Sequence, residues 1–154
     1  MDMLIKLYAL PAQPQQPLPQ GVTVRKPIGP EHDLLTAWIV RQFGAGWASE
    51  ARAAMSNHPT SLYIATQSNT PIGFACYDAT ARGLFGPIGV SPEARGSGVG
   101  AALLLACLHE MRSLGYAYAV AGYVGSTEFF RRVARATEIE GSEPGLYQGM
   151  LRQP

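Results

Sequence analysis

The chain has 154 residues, 47% hydrophobic and 15% charged, with a net charge of +1. That is the length of one domain able to bury a core without staples, and its balanced charge argues against nucleic acid or a membrane surface as a partner. No apolar run approaches the roughly 18 residues of a membrane span, and the N-terminus lacks a signal-peptide pattern. Cys76 and Cys107 stand in apolar surroundings without CxxC spacing, and so read as buried thiols of a cytoplasmic protein. His32, His58 and His109 are scattered and form no metal set.

In chain order, Leu4–Tyr8 reads as a short strand that pairs with the Val22–Lys26 strand or, in a homodimer, with a second copy. Pro11–Gln20 holds four prolines and four glutamines, which makes it an extended connector. Residues 1–21 are therefore expected to be an N-terminal strand and connector, and 22–154 one domain. Val22–Lys26 alternates like a strand. A helix is expected from Pro30 to about Phe43, broken by Gly44 and Gly46, and a second from about Trp47 to Asn57, stopped by His58-Pro59. Ser61–Gln67 and Ile72–Ala79 read as a hairpin, with Gly73 marking a close backbone approach or a bulge. A strand over Leu84–Val90 contains Gly86-Pro87; proline has no N–H for a ladder, so that strand has a bulge or a free edge.

Next comes a glycine-rich loop, Arg95–Gly100, and a helix to about Gly115 with Leu104, Cys107, Met111 and Leu114 as its stripe. Tyr116–Val124 reads as a buried strand, Thr127–Ala134 as a short helix, and Thr137–Glu140 and Leu146–Leu151 as final strands. The basic cluster Arg131, Arg132 and Arg135 reads as a solvated face more readily than as a phosphate contact.

Strand, glycine loop and helix together aim unpaired N–H groups at one point beside the positive end of a helix dipole, a site suited to phosphate. A Walker-type loop is excluded, because Lys6 and Lys26 are the chain's two lysines and neither lies near the loop. Gly96, Gly98 and Ala101 fit a dinucleotide fingerprint. That reading lacks the acidic residue expected about 20 positions on, and too few residues follow to complete such a domain.

Arg95-Gly96-Ser97-Gly98-Val99-Gly100, preceded by Ile88-Gly89-Val90-Ser91-Pro92, resembles the acetyl-CoA signature of the GNAT superfamily of N-acetyltransferases, from about Val22 to Leu151. The resemblance implies a mixed α/β fold, a mostly antiparallel sheet flanked by helices in the order β-α-α-β-β-β-α-β-α-β-β. It also implies acetyl-CoA as co-substrate and a small amine or peptide as acceptor. The cofactor contacts it implies are Ile88, Gly89, Val90, Arg95, Gly96, Ser97, Gly98, Val99, Gly100, Ala101, Ser126, Phe129 and Phe130. The pantetheine arm would add to the free edge at Ile88 and Val90. Trp38, Phe43 and Trp47 are candidates for the acceptor pocket, with core packing the plainer role for each.

A primary amine would attack the thioester directly, with the Ile88 N–H receiving the oxyanion. An amine of pKa ~10.4 costs roughly 4–5 kcal/mol to deprotonate at pH 7, a departing thiolate only roughly 2 kcal/mol, so a base matters more than an acid. Family members often place a tyrosine as the acid where this chain has Phe130. Substitutes are Tyr123, the first choice, then Ser126 and Tyr147; the acids nearby are Glu50, Asp78 and Glu93, each solvated by default, and a base acting through ordered water and backbone carbonyls would need none of them. The departure at Phe130 keeps a non-catalytic acyl-CoA-sensing module as the alternative.

Overall fold

The structure, a computed structural model, describes residues 1–12 and 16–154; positions 13–15 of the expected connector lie outside the described residues. Among the described residues the strands are β1 (Met3–Lys6), β2 (Val22–Arg25), β3 (Leu62–Gln67), β4 (Thr70–Tyr77), β5 (Leu84–Val90), β6 (Tyr118–Ala121) and β7 (Thr137–Glu138). The α-helices are α1 (His32–Phe43), α2 (Ala45–Met55), α3 (Val99–Ser113) and α4 (Thr127–Ala134). One sheet runs β2-β3-β4-β5-β6-β1-β7, with every neighbouring pair antiparallel except the parallel pair β5 and β6.

Alternation along the strands sorts two cores. Leu62, Ile64, Phe74 and Cys76 face α1 and α2, where Leu35, Trp38, Ile39 and Ala51 meet them. Ala65, Ala75, Tyr77 and Phe85 face α3 and α4, against Leu103, Leu104, Cys107, Leu108 and Phe130. The expected hairpin is tighter than its four-residue turn implied: Ser68 and Asn69, at φ +50 and +59, connect β3 directly to β4 in a two-residue turn. Gly73 is a close approach, since a Cβ there would stand 2.9 Å from Leu103 Cδ1 and 3.2 Å from the Gly89 carbonyl oxygen.

The fold class is the expected one, but the sheet ends differently. β1 does not pair with β2; it lies between β6 and β7 at the far end, so the first residues of the chain belong to the same sheet. The segment 146–151 forms no strand and begins inside a short 3-10 turn, Gly145–Tyr147; Leu146, Met150 and Leu151 point outward with no partner strand to cover them. β7 is cut to two residues and β6 to four. Leu114 falls just past the last turn of α3 and is 53% exposed; Leu103 and Leu108 complete the buried stripe instead.

Candidate active site

β5 pairs with β6 only through Leu84 with Val120 and Phe85 with Ala121. Beyond that point Gly86, at φ +125, and Pro87 carry β5 away from its neighbour. A register shift in β4 between Ala75 and Tyr77 lies opposite the same turn. On its other side β5 stays paired with β4 as far as Val90, and the Ser91 N–H donates to the Ile72 carbonyl at 2.8 Å. N–H directions alternate along a strand, so Gly89 also faces β4. Ile88 and Val90 therefore present their N–H groups to the opening between β5 and β6.

The opening leads into a cleft of about 540 Å³ whose walls include Ile88, Val90, Arg95, Gly96, Gly98, Gly100, Ala101 and Phe129. Gly96 and Gly98, at φ +76 and +90, hold left-handed turns that let the loop enter α3 with its first N–H groups uncovered. A Cβ on Gly100 would sit 3.6 Å from Phe129 and 3.7 Å from Val90, where it would narrow the cleft. The Arg95 Nε donates to the Val90 carbonyl at 3.1 Å, which lays a guanidinium along the free strand edge.

Other expected contacts lie beside the cleft rather than in its lining. Gly89 sits beneath the Phe43 ring; a Cβ there would be 2.7 Å from Phe43 Cζ. Ser97 spends its hydroxyl on the Ala94 carbonyl, and Val99 is buried in the core. The Ser126 hydroxyl accepts from the Phe129 N–H and caps α4. Phe130 is 6% exposed and packs edge-on against Phe85, so this position belongs to the core. Tyr123 is 71% exposed, at φ +50, with its ring edge-on to Tyr147.

Pro11, Gln16, Leu105, Arg132 and Val133 also line the cleft and were not expected there. The signal for Arg132 was the basic cluster, which the structure divides: Arg131 pairs with Glu138, while Arg132 turns to the cleft. Nothing in a proline- and glutamine-rich connector marks Gln16 as a neighbour of Gly98. Gln16 meets Gly98 at the start of α3, and His109 Nε2, further along the same helix, stands 3.1 Å from the Pro11 carbonyl oxygen.

On the α1–α2 face of the same strand, Phe43 stacks on Trp47 with centroids 5.3 Å apart, and both rings lean on the buried Phe74. Trp38 is a core residue; Phe43 and Trp47 are partly open. One turn beyond Trp47, the Glu50 carboxylate accepts a hydrogen bond from Thr80. Burial raises the Tyr147 phenol above its ordinary pKa, the Thr80 hydroxyl nearby works against that, and the charges of Glu50 and Asp2 add to the rise. Asp78 is committed elsewhere, accepting from the Gly83 N–H at 2.7 Å and the Tyr116 hydroxyl at 2.8 Å. Glu93 is exposed on the turn after β5. Among the described residues no three His, Cys, Asp or Glu side chains gather as a metal site, and no helix is long and apolar enough to cross a membrane.

A family model described as "Acetyltransferase (GNAT) family" matches residues 32–134, well over half of the chain. Solved structures share the fold. A GCN5-related N-acetyltransferase from Sphaerobacter thermophilus aligns with a TM-score of 0.68 at 22% identity, over 88% of this chain and 47% of that one. A GCN5-related glucosamine N-acetyltransferase region of a fungal multi-domain β-N-acetylglucosaminidase gives 0.65 at 16% identity, over 86% of this chain and 19% of that one. A GNAT family acetyltransferase from Brucella melitensis, solved with acetyl-CoA, gives 0.52 at 18% identity, over 72% of this chain and 80% of that one. The chain thus spans less than half the length of the first two. No curated protein matches it.

Proposed function

Because the chain belongs to the GNAT acetyltransferase family, we propose that it moves the acetyl group of acetyl-CoA to a primary amine of a small molecule or peptide by direct attack. The free edge of β5 at Ile88 and Val90, opening onto the glycine loop and the start of α3, carries this reading. The pantetheine arm lies along that edge as an added strand, its amides meeting the Ile88 and Val90 backbone. The pyrophosphate rests on the N–H groups between Gly96 and Ala101, with Arg95 and Arg132 supplying positive charge. Phe129 and Val133 form the apolar side of the channel.

In this geometry the Ile88 N–H stabilises the tetrahedral oxyanion as the amine nitrogen bonds to the thioester carbon. The C–S bond then breaks with its electron pair on sulfur. With Phe130 in the core, no tyrosine hydroxyl reaches the thiolate from α4, and unassisted departure costs only roughly 2 kcal/mol at pH 7. The buried Phe130 also favours a second reading, a sensing module that binds acyl-CoA without turnover. Calorimetry with acetyl-CoA, followed by free-thiol release across a panel of amines, amino acids, aminoglycosides and peptide N-termini, separates the two. Binding with amine-dependent thiol release is expected. Binding without release selects the sensing module, and no binding removes both readings.

A further inference from the structure

The acceptor half of the proposed reaction needs a group that takes a proton from an ammonium beside the thioester. Glu50 has the position for it. Its helix, α2, packs on β4 and β5, and Cys76, in the core that α2 covers, is the residue at the β4 irregularity, opposite the point where β5 turns away from β6. The Tyr147 hydroxyl, beside Thr80 and Glu50, comes within 3.6 Å of where a Cβ on Gly122 would be. Gly122 directly follows Ala121, the last β6 residue paired with β5. Four separate segments thus meet on the α1–α2 face where the strands part: α2, the β4–β5 connection, the end of β6 and the C-terminal turn.

Other carboxylates are committed or remote. Asp78 serves Gly83 and Tyr116, and Asp2 accepts from the Tyr123 N–H at 2.9 Å. Glu110 is held on the opposite face by the Tyr77 hydroxyl at 2.6 Å and Lys26 at 2.7 Å. Glu50 keeps one oxygen for Thr80, and its second has no hydrogen-bond partner among the described residues. The stacked Phe43–Trp47 pair leads to it along α2, an apolar wall suited to a short carbon skeleton.

We propose that Glu50, oriented by Thr80, binds the charged nitrogen of the acceptor and is its base, and that the acceptor is a small cationic primary amine. This rests on the acetyltransferase reading above. One proton passes from the ammonium to Glu50, and the freed lone pair forms the C–N bond at the thioester carbon. As the C–S bond breaks, the second nitrogen proton is lost. Of the two protons, one ends on the thiolate and the other reaches solvent.

The test pairs benzylamine and spermidine, cationic at pH 7, with 4-methylaniline, which is neutral there. Glu50→Gln retains an oxygen for the Thr80 hydroxyl and should fold. It should lower kcat/KM for the cationic amines at least about hundredfold and for 4-methylaniline less than about fivefold, with acetyl-CoA affinity unchanged. Thr80→Val should lose about tenfold on the cationic amines, and Thr80→Ser should restore it, as a positioning role requires. Equal losses on all three amines, or none, overturn the proposal while leaving the acetyltransferase reading intact. Acetyl-CoA binding with no amine acetylated by the wild type overturns both.

Discussion

The two sides of the β5 edge are built from different materials. Toward α3 the cleft is made largely of backbone: the unpaired N–H groups of Ile88 and Val90, the left-handed turns at Gly96 and Gly98, and the bare start of a helix. Toward α1 and α2 it is made of side chains, with Phe43 stacked on Trp47 and Glu50 meeting Thr80 and Tyr147 from distant segments. Backbone binds what every acyl-CoA carries, amides and phosphates. Side chains bind what differs between acceptors. The first side should therefore respond to glycine substitutions, and the second to changes in packing and charge.

The largest effect is expected at the hub of the side-chain half. Phe74 is fully buried beneath Trp38, Phe43 and Trp47, so Phe74→Ala should cost about 3–5 kcal/mol in a urea titration and loosen the proposed acceptor wall. A folded variant losing less than about 1 kcal/mol would mean that this wall does not depend on its core.

On the backbone half, Gly100→Val is the sharper probe, because Gly96 and Gly98 need positive φ and any side chain there strains the loop as well. Gly100 has ordinary helical geometry, so valine should fold and place its methyls in the cleft. Acetyl-CoA affinity should fall at least about thirtyfold, roughly 2 kcal/mol, by calorimetry, with the melting temperature nearly unchanged. Unchanged affinity would remove the loop from the cofactor site.

Phe130→Tyr adds a hydroxyl to the core beside Phe85. It should cost about 1–2 kcal/mol of stability as a buried group without a partner, and change kcat less than about tenfold. A several-hundredfold rise in kcat would return this position to the site and mark the natural chain as lacking its acid.

The smallest effect concerns the anchor of α1. The Arg25 guanidinium, at 2.6 and 2.7 Å, and then the Ile28 N–H hold the Glu31 carboxyl down to about 2 from an ordinary 4.5. A carboxyl depressed in the folded state contributes stability above its unfolded pKa and loses it as pH falls toward the folded one. Glu31→Gln should therefore flatten the acid limb between pH 4.5 and about 2. The pair is partly exposed, so the change should stay under about 1 kcal/mol. An unaltered acid limb would show that Glu31 contributes nothing there.

The same contrast decides what could be read in advance. Gly86-Pro87, Gly73 and the glycines at 96, 98 and 100 declare backbone requirements, which a residue type states directly. The place of β1 between β6 and β7 is a long-range pairing that four residues cannot specify, and the apolar Leu146, Met150 and Leu151 gave 146–151 a strand-like pattern that Gly149, at φ +78, and the lack of a partner strand defeat. Arg132, Gln16 and the meeting of Glu50 with Thr80 and Tyr147 depend on how separate elements pack. Phe130 was legible as a departure from a family pattern, but its burial against Phe85 was not.

Amide exchange along β5 reads out whether acetyl-CoA lies on the strand edge, because one strand supplies both probe and control. The N–H groups of Ile88 and Val90 face the opening, while that of Gly89 faces β4. Adding acetyl-CoA should slow exchange at Ile88 and Val90 and leave Gly89 unchanged. Unaltered rates at Ile88 and Val90 under saturating acetyl-CoA would contradict the account, because the strand edge would then not be where the cofactor lies.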